Sequence, residues 1–581
     1  MIPKIFWVAF LTTFLPLTLL ADHVSDRSIS IAVSINKNEA RLYSYTLKNH
    51  AFAMATSRPA NSYYEFGHPI PLNVRLSNEQ GVDFVRELFV GALCFDHEAN
   101  EPPHVMGDTI LLHEDTFVIE MPEIKGYDTV TIELPIQENG VGTTRVLGSF
   151  KLDRAHFDES IHGFTYKDLA FTNKKDKAAS VIPQSSTVLW PENFGDATKY
   201  KVYGFEPDSP FRINVVIVPD GYQYAEKAVM EQHAQNLVQA FRNRTPYKEH
   251  DHLINYILVY AYSQNSGTDQ CDCGIALDTA MGTGFQRVNP VCGSSDNRCL
   301  YYTNPCDAPA QGNIVAAEQR APFADTTIVM VNTSRYGGCG GARAVYSAAN
   351  AAATEVAIHE LGHSLAGLAD EYGGSPSCGG YAGGINTSTN ATQGGWSEWI
   401  ADIGAPKQGG QYYEQCIYRP ESMCQMRALG ASFCRVCNQQ FSRIFYGHPR
   451  VSPTAPMYNV TPTQSSISLP QGGYTVFRYN TRLSSQPTVQ NSSSFYLKAP
   501  GDAGFTKLPV SEELWIRFMF QGVYQVKAEV IADTNFVKPQ KSDTNKDTVI
   551  WNVAVGLSNN KNRSLPHEPS EKAYEILSEK P

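Results

Sequence analysis

Residues 351–372 read AAATEVAIHELGHSLAGLADEY, and the rest of the 581-residue chain is read outward from them. The alanine-rich lead-in favours helix, and Val356, Leu361 and Leu365 give that helix an apolar face. Within it stands His359-Glu360-Leu361-Gly362-His363, an H-E-x-x-H. Residues four apart share one helical face, so the two imidazoles can grip one metal ion. Glu360 lies between them in sequence but points elsewhere, toward a water rather than the metal. Zinc hydrolases use this arrangement: Zn²⁺ lowers the pKa of a water it holds to about 7, and a carboxylate takes the proton.

Zinc needs a third protein ligand, and the helix must stop before the chain can bring one back. Gly367 supplies the stop, since glycine takes the left-handed conformation at no steric cost. In the longer motif H-E-x-x-H-x-x-G-x-x-H, the last ligand stands three residues beyond the glycine. Asp370 stands three beyond Gly367, although both lie one residue further from the second histidine than in that motif. The spacing predicts a slightly longer helix, an equivalent turn and Asp370 as the third ligand, with Glu371 as the neighbouring alternative.

Composition sets the frame for this motif. The chain is too long for one core, so about three domains are expected. It is 42% hydrophobic and 18% charged, the balance of a soluble globular protein. A net charge of -11 argues against nucleic acid or an anionic membrane as the main partner. No phosphate-binding G-x-x-x-x-G-K-[ST] occurs. Residues 1–21, MIPKIFWVAFLTTFLPLTLLA, read as a secretory signal peptide, the alternative being an uncleaved membrane anchor. The mature chain is then expected to be secreted or periplasmic, without a membrane span. Of twelve cysteines, eleven fall between Cys271 and Cys437, and in an exported chain they point to a disulfide-stapled region that contains the zinc motif.

Along the chain, residues 22–173 carry short alternating runs such as SISIAVSI and DTVTIELPI, expected to form an N-terminal β-sandwich domain. Residues 174–190 read as a polar linker and 191–448 as the catalytic domain. There INVVIVPDGY (213–222), a helix over 224–244 and INYILVYAYS (254–263) form a β–α–β unit with parallel strands. Residues 264–322 are a long loop restrained by cysteines, and TTIVMVNTS (326–334) is a third strand. The glycine-rich YGGCGGA (336–342) offers either a substrate-pairing edge or a flexible hairpin. Residues 373–412 read as a surface loop beside the cleft, 449–557 as a second β-rich domain, and 558–581 as a polar, disordered tail. His250 and His252 read as surface residues at a helix end.

Taken together, HELGHSLAGLADEY, the strand TTIVMVN before it and CQMRALGASFCRVC after it resemble the bacterial IgA-peptidase family of zinc metallopeptidases. VIVPDGY and YSQNSGTD are similar to further blocks of that family, although a glycine precedes the aspartate in the family's form of the first. The resemblance covers about residues 25–445 and is strongest from 213 to 445. It implies an α/β (α+β), metzincin-like zinc peptidase domain flanked by N- and C-terminal β-sandwich-like domains. It also implies His359, His363 and Asp370 as ligands of one Zn²⁺ per chain, favouring Asp370 over Glu371, and Glu360 as general base. Metzincins seat a methionine turn beneath the metal, for which Met426 is the candidate and Met423 the alternative. The family's immunoglobulin specificity does not transfer. Cys424, Cys434 and Cys437 could bind a second zinc, but an exported chain favours disulfides there.

The expected function is an exported zinc endopeptidase acting on protein or peptide substrates. Two other readings compete: a zinc amidase acting on a non-protein substrate, and an adhesin or binding module on a peptidase scaffold. Neither finds support in a wall-binding repeat or in a lost glutamate or histidine.

Overall fold

The computed structural model describes most of residues 187–447 and 456–556, residues 573–577, and the strands and adjoining residues between 23 and 152; residues 1–22, 153–186, 557–572 and shorter segments lie outside it. The expected signal peptide and residues 174–186 of the expected linker therefore lie outside the described residues. Thr187 to Trp190 do not behave as linker: Leu189 exchanges backbone hydrogen bonds with Tyr262, which joins this stretch to the central body.

At the centre is a six-stranded sheet. Its strands are β1 (Tyr200–Tyr203), β2 (Ile213–Asp220), β3 (Ile254–Val259), β4 (Thr326–Val331), β5 (Gly338–Cys339) and β6 (Ala344–Ser347), in the order β1-β3-β2-β4-β6-β5. The pairs β2–β3, β2–β4 and β4–β6 are parallel, while β1 and β5 run antiparallel to their neighbours. Strands β2, β3 and β4 are buried along their whole length, which is why they read as continuous apolar runs. Helix α1 (Lys227–Asn243) crosses from β2 to β3 and lays Met230, Ala234, Leu237, Val238 and Phe241 on the sheet. The motif helix, α3 (Ala353–Ala366), shares that layer, together with α4 (Arg435–Gly447). Helix α2 (Asn313–Arg320) takes the opposite face.

Helix α2 lies inside the stretch expected to be a loop, and three short strands, joined in two pairs, accompany it there. What fastens this segment to the sheet is Asp220, at the end of β2. Its buried carboxylate accepts the N–H groups of Met281 and Thr283 and the hydroxyls of Thr279 and Thr283. Gly221 follows at φ +72°, where a Cβ would strike the carbonyl of Gly267. Residues 373–412 are likewise more than a surface loop, for they bury Asn386, Thr387, Trp396 and Trp399.

On the N-terminal side a three-stranded sheet, Ala40–Lys48, Ser28–Asn36 and Glu114–Pro122, faces a four-stranded one. Ile29, Ile31 and Val33 of the first share one core with Leu72, Val74, Val130 and Ile132 of the second. Alternation explains the rest: Ala32, on the other face, packs with Val315 of α2. The C-terminal side repeats the two-sheet pattern, with Phe477, Ile516 and Phe518 meeting Phe495, Val526 and Trp551. The tail is not wholly without structure: Tyr574–Leu577 forms a strand on Glu513–Phe518.

His250 is fully buried rather than a surface residue, because it links the central body to the C-terminal sheets. Its Nδ1 donates to the Pro246 carbonyl at 2.7 Å and its Nε2 to Asp533 at 2.5 Å, so the ring holds both protons. Ser442 donates to the same carboxylate oxygen. Burial alone would pull the His250 pKa down, but the charge of Asp533 together with the hydrogen bonds to Asp533 and Pro246 outweighs it, and the pKa is raised. A raised histidine stabilises fully below its ordinary pKa of about 6.5 and loses that contribution as pH climbs through the raised value. We therefore expect the melting-temperature gap between wild type and His250→Gln to be widest below the ordinary histidine pKa of about 6.5 and to narrow as pH rises above it. Calorimetry across that range checks it, and a gap that widens with pH contradicts the charged pair.

Candidate active site

Helix α3 runs through the motif and ends at Gly367, which adopts φ 60° and returns its N–H to the carbonyls of Gly362 and His363. That left-handed cap is the stop the sequence predicts, and it turns the chain so that Asp370 comes back beneath the two histidines. Oδ1 of Asp370 lies 3.0 Å from Nε2 of His359 and 3.2 Å from Nε2 of His363. The two Nε2 atoms are 3.1 Å apart. His359, His363 and Asp370 thus offer three ligand atoms around one point.

The orientation of each ring is fixed from behind. Nδ1 of His359 donates to the Gln425 carbonyl at 3.0 Å, and Nδ1 of His363 to the Leu368 carbonyl at 2.7 Å. In their neutral forms, rings so held would turn bare Nε2 lone pairs toward one another, an arrangement a cation between them would satisfy, whereas without a cation a proton on Nε2 is shared with Asp370. All four motif side chains are buried, with exposures of 2% for His359, 0% for Glu360, 7% for His363 and 3% for Asp370. Burial alone would raise the Asp370 pKa, yet the attraction of His363 and hydrogen bonds from both histidines hold it well below the carboxylate range. Conversely, burial opposes charge on His363, and Asp370 outweighs it to raise that pKa. The donor set, two imidazoles and a carboxylate, suits zinc.

Glu360 does not join this cluster. Its carboxylate lies against β5 and the residues that follow, where a Cβ on Gly338 would stand 2.9 Å from Oε1 and one on Gly340 2.7 Å from Oε2. Gly338 and Gly340 are thus explained by the close approach of this backbone to Glu360 and His363, while Gly337 is pressed against Phe285 and the Arg298 carbonyl. As a substrate-pairing edge the segment is already engaged at Gly338, whose N–H bonds to the Arg298 carbonyl.

Met426 and Met423 separate clearly. Met426 is fully buried, and its Sδ would sit 2.7 Å from a Cβ on Gly362, which explains a glycine in mid-helix; Met423 is 53% exposed. Glu371, the neighbour of Asp370, points away from the histidines and toward Cys424, Cys434 and Cys437. Burial pushes its carboxyl well above the ordinary range.

Tyr412 is a site residue that sequence reading misses. Its hydroxyl donates to Oδ2 of Asp370 at 2.6 Å, the oxygen the histidines leave open. Gln411 and Tyr412 both adopt positive φ, and the Gln411 N–H bonds to the Asp370 carbonyl, so a strained turn clasps the aspartate on two sides. Nothing in the spacing of residues 370 and 412 signals this contact.

The expected disulfide stapling is present in part. Cys273 pairs with Cys292 and Cys378 with Cys416, and Cys271 is also disulfide-bonded. Cys424, Cys434 and Cys437 are free and buried, contrary to the disulfides expected there. Among the described residues, no helix is long and apolar enough to cross a membrane.

No curated protein matches the chain. Residues 206–402, which hold five of the six central strands and the motif helix, match the model of the family described as IgA Peptidase M64, the family the sequence resembles.

Proposed function

We propose that the chain is an exported, zinc-dependent endopeptidase with a metzincin-like catalytic domain over residues 191–448, placed between two β-sandwich domains. The observation that carries the reading is the convergence of His359 Nε2, His363 Nε2 and Asp370 Oδ1, with both Nδ1 atoms committed to backbone carbonyls. The peptidase family match supplies the substrate class and implies a metal. The disulfides fit an extracytoplasmic protein.

A zinc ion held by these three side chains would supply Lewis acidity to a peptide carbonyl and acidify a water. Glu360 takes the proton of the attacking water and hands it to the departing amine, so that one acid and one amine result. Its full burial, with the backbone of Gly338 and Gly340 against the carboxylate, separates that proton from bulk solvent. His359 and His363 are oriented by the Gln425 and Leu368 carbonyls, and Tyr412 holds Asp370 with one oxygen turned to the histidines. Met426 fills the floor under Gly362.

Proteomic cleavage-site profiling on a peptide library tests the function, with Glu360→Gln as the blank. Cleavage products unique to the wild type support it, and identical profiles refute it. Tyr412→Phe is expected to weaken zinc affinity about 10- to 100-fold, as removal of a group that orients a ligand does. Competition with a zinc-chelating dye measures this, and unchanged affinity would remove Tyr412 from the site.

A further inference from the structure

We propose that Glu371, Cys424, Cys434 and Cys437 form a second zinc site, closed and structural, immediately behind the first. The four side chains offer one carboxylate oxygen and three sulfurs, all mutually within 4.8 Å and all buried. Sγ of Cys437 is 3.7 Å from Sγ of Cys424 and 3.4 Å from Sγ of Cys434. Oε1 of Glu371 is 3.6 Å from Cys434 Sγ and 3.5 Å from Cys437 Sγ. A tetrahedral zinc with Zn–S of about 2.3 Å and Zn–O of about 2.0 Å demands edges of about 3.8 Å between sulfurs and about 3.5 Å from sulfur to oxygen. The four edges given lie close to those of such a shell, the shortest being the 3.4 Å between Cys434 and Cys437. A disulfide would bring two sulfurs to about 2.05 Å, and three thiols could not all pair in any case.

Surroundings point the same way. Glu371 is a carboxylate at 0% exposure whose Oε2 has no hydrogen-bond partner among the described residues. Asn386 donates to Oε1, but no lysine or arginine among the described residues forms an ion pair with it. Burying such a group beside three thiols is unfavourable unless a cation joins them. The backbone N–H of Cys434 lies 3.3 Å from Cys424 Sγ, and such donors stabilise a thiolate rather than a thiol. Cys434 and Cys437 form a C-x-x-C at the start of α4, where the helix N-terminus also favours negative sulfur.

All four positions are protein atoms, so no place is left for water or substrate, which marks a structural site. Its placement gives it a task. Glu371 adjoins Asp370, Cys424 lies two residues before Met426, and the Glu371 N–H bonds to the Met426 carbonyl at 2.7 Å. One ion here would lock the loop that carries the third histidine-site ligand to the turn that carries the methionine and the Gln425 carbonyl. The expected one zinc per chain becomes two.

The test uses full-length protein purified without chelator, as wild type and as the His359→Ala/His363→Ala double variant. Elemental analysis should give two zinc per chain for the wild type and one for the double variant. X-ray absorption at the zinc edge of the double variant should show a shell of three sulfurs at about 2.3 Å. A single zinc with a sulfur shell in both proteins would keep this site and sink the histidine site instead. A double variant free of zinc, or zinc without sulfur neighbours, overturns the proposal. So does non-reducing peptide mapping of the wild type that finds a disulfide between any two of the three cysteines.

Discussion

Glu360→Gln should retain its zinc and its fold while losing peptide hydrolysis by about two to four orders of magnitude, the usual worth of a positioned general base. The amide is nearly isosteric with the carboxylate, so the contacts with Gly338 and Gly340 survive the change. What disappears is the ability to accept a proton. Because Glu360 stands outside the three-atom cluster, the substitution removes no ligand. Zinc content equal to wild type, together with kcat/KM reduced by that factor, is the expected pair of results. Undiminished cleavage would exclude an H-E-x-x-H hydrolysis here.

The second large effect separates Asp370 from Glu371. His359→Ala, His363→Ala and Asp370→Ala should each release the histidine-site zinc, because two protein ligands hold zinc poorly. Each should also lose the stabilisation that a bound ion confers, about 2.7 kcal/mol where free zinc stands at a hundred times the dissociation constant. Glu371→Ala should keep that zinc and its nitrogen-rich environment, losing instead the ion among the cysteines. Zinc stoichiometry with the absorption edge of each variant reads the difference. If Asp370→Ala keeps a nitrogen-ligated zinc and Glu371→Ala loses it, the assignment of the third ligand is reversed.

How much of this could be read from the chain alone depends on the range of each interaction. His359, Glu360, His363 and the stop at Gly367 lie within one helix and its cap, so local periodicity and glycine's conformational freedom reveal them. The parallel β2–α1–β3 unit is equally local, since a short crossover leaves the strands little choice but to be neighbours. Long-range partners leave no such trace. Tyr412 meets Asp370 across 42 residues, and His250 meets Asp533 across 283, joined only when separate sheets and helices pack. His250 reads as polar and exposed because its partner cannot be seen. The thiol cluster misleads for a related reason. An exported chain argues for disulfides, whereas Cys424, Cys434 and Cys437 are free and buried together with Glu371, a partner distant in sequence. Helix α2 goes unseen because cysteines on either side suggest a covalently restrained loop, whereas its apolar residues are held by two sheets at once.

The central claim is that a metal held by His359, His363 and Asp370 and a proton acceptor at Glu360 together hydrolyse peptide bonds. It is tested most directly by stripping the wild-type protein with a chelator mild enough to spare the cysteine cluster. Peptide cleavage is then measured as zinc is returned in substoichiometric steps. Cleavage rising in proportion to zinc and saturating at one added equivalent is the expected result, with Glu360→Gln binding the same equivalent and remaining inactive. Cleavage that persists in the stripped protein, or zinc that returns without restoring it, would contradict the account.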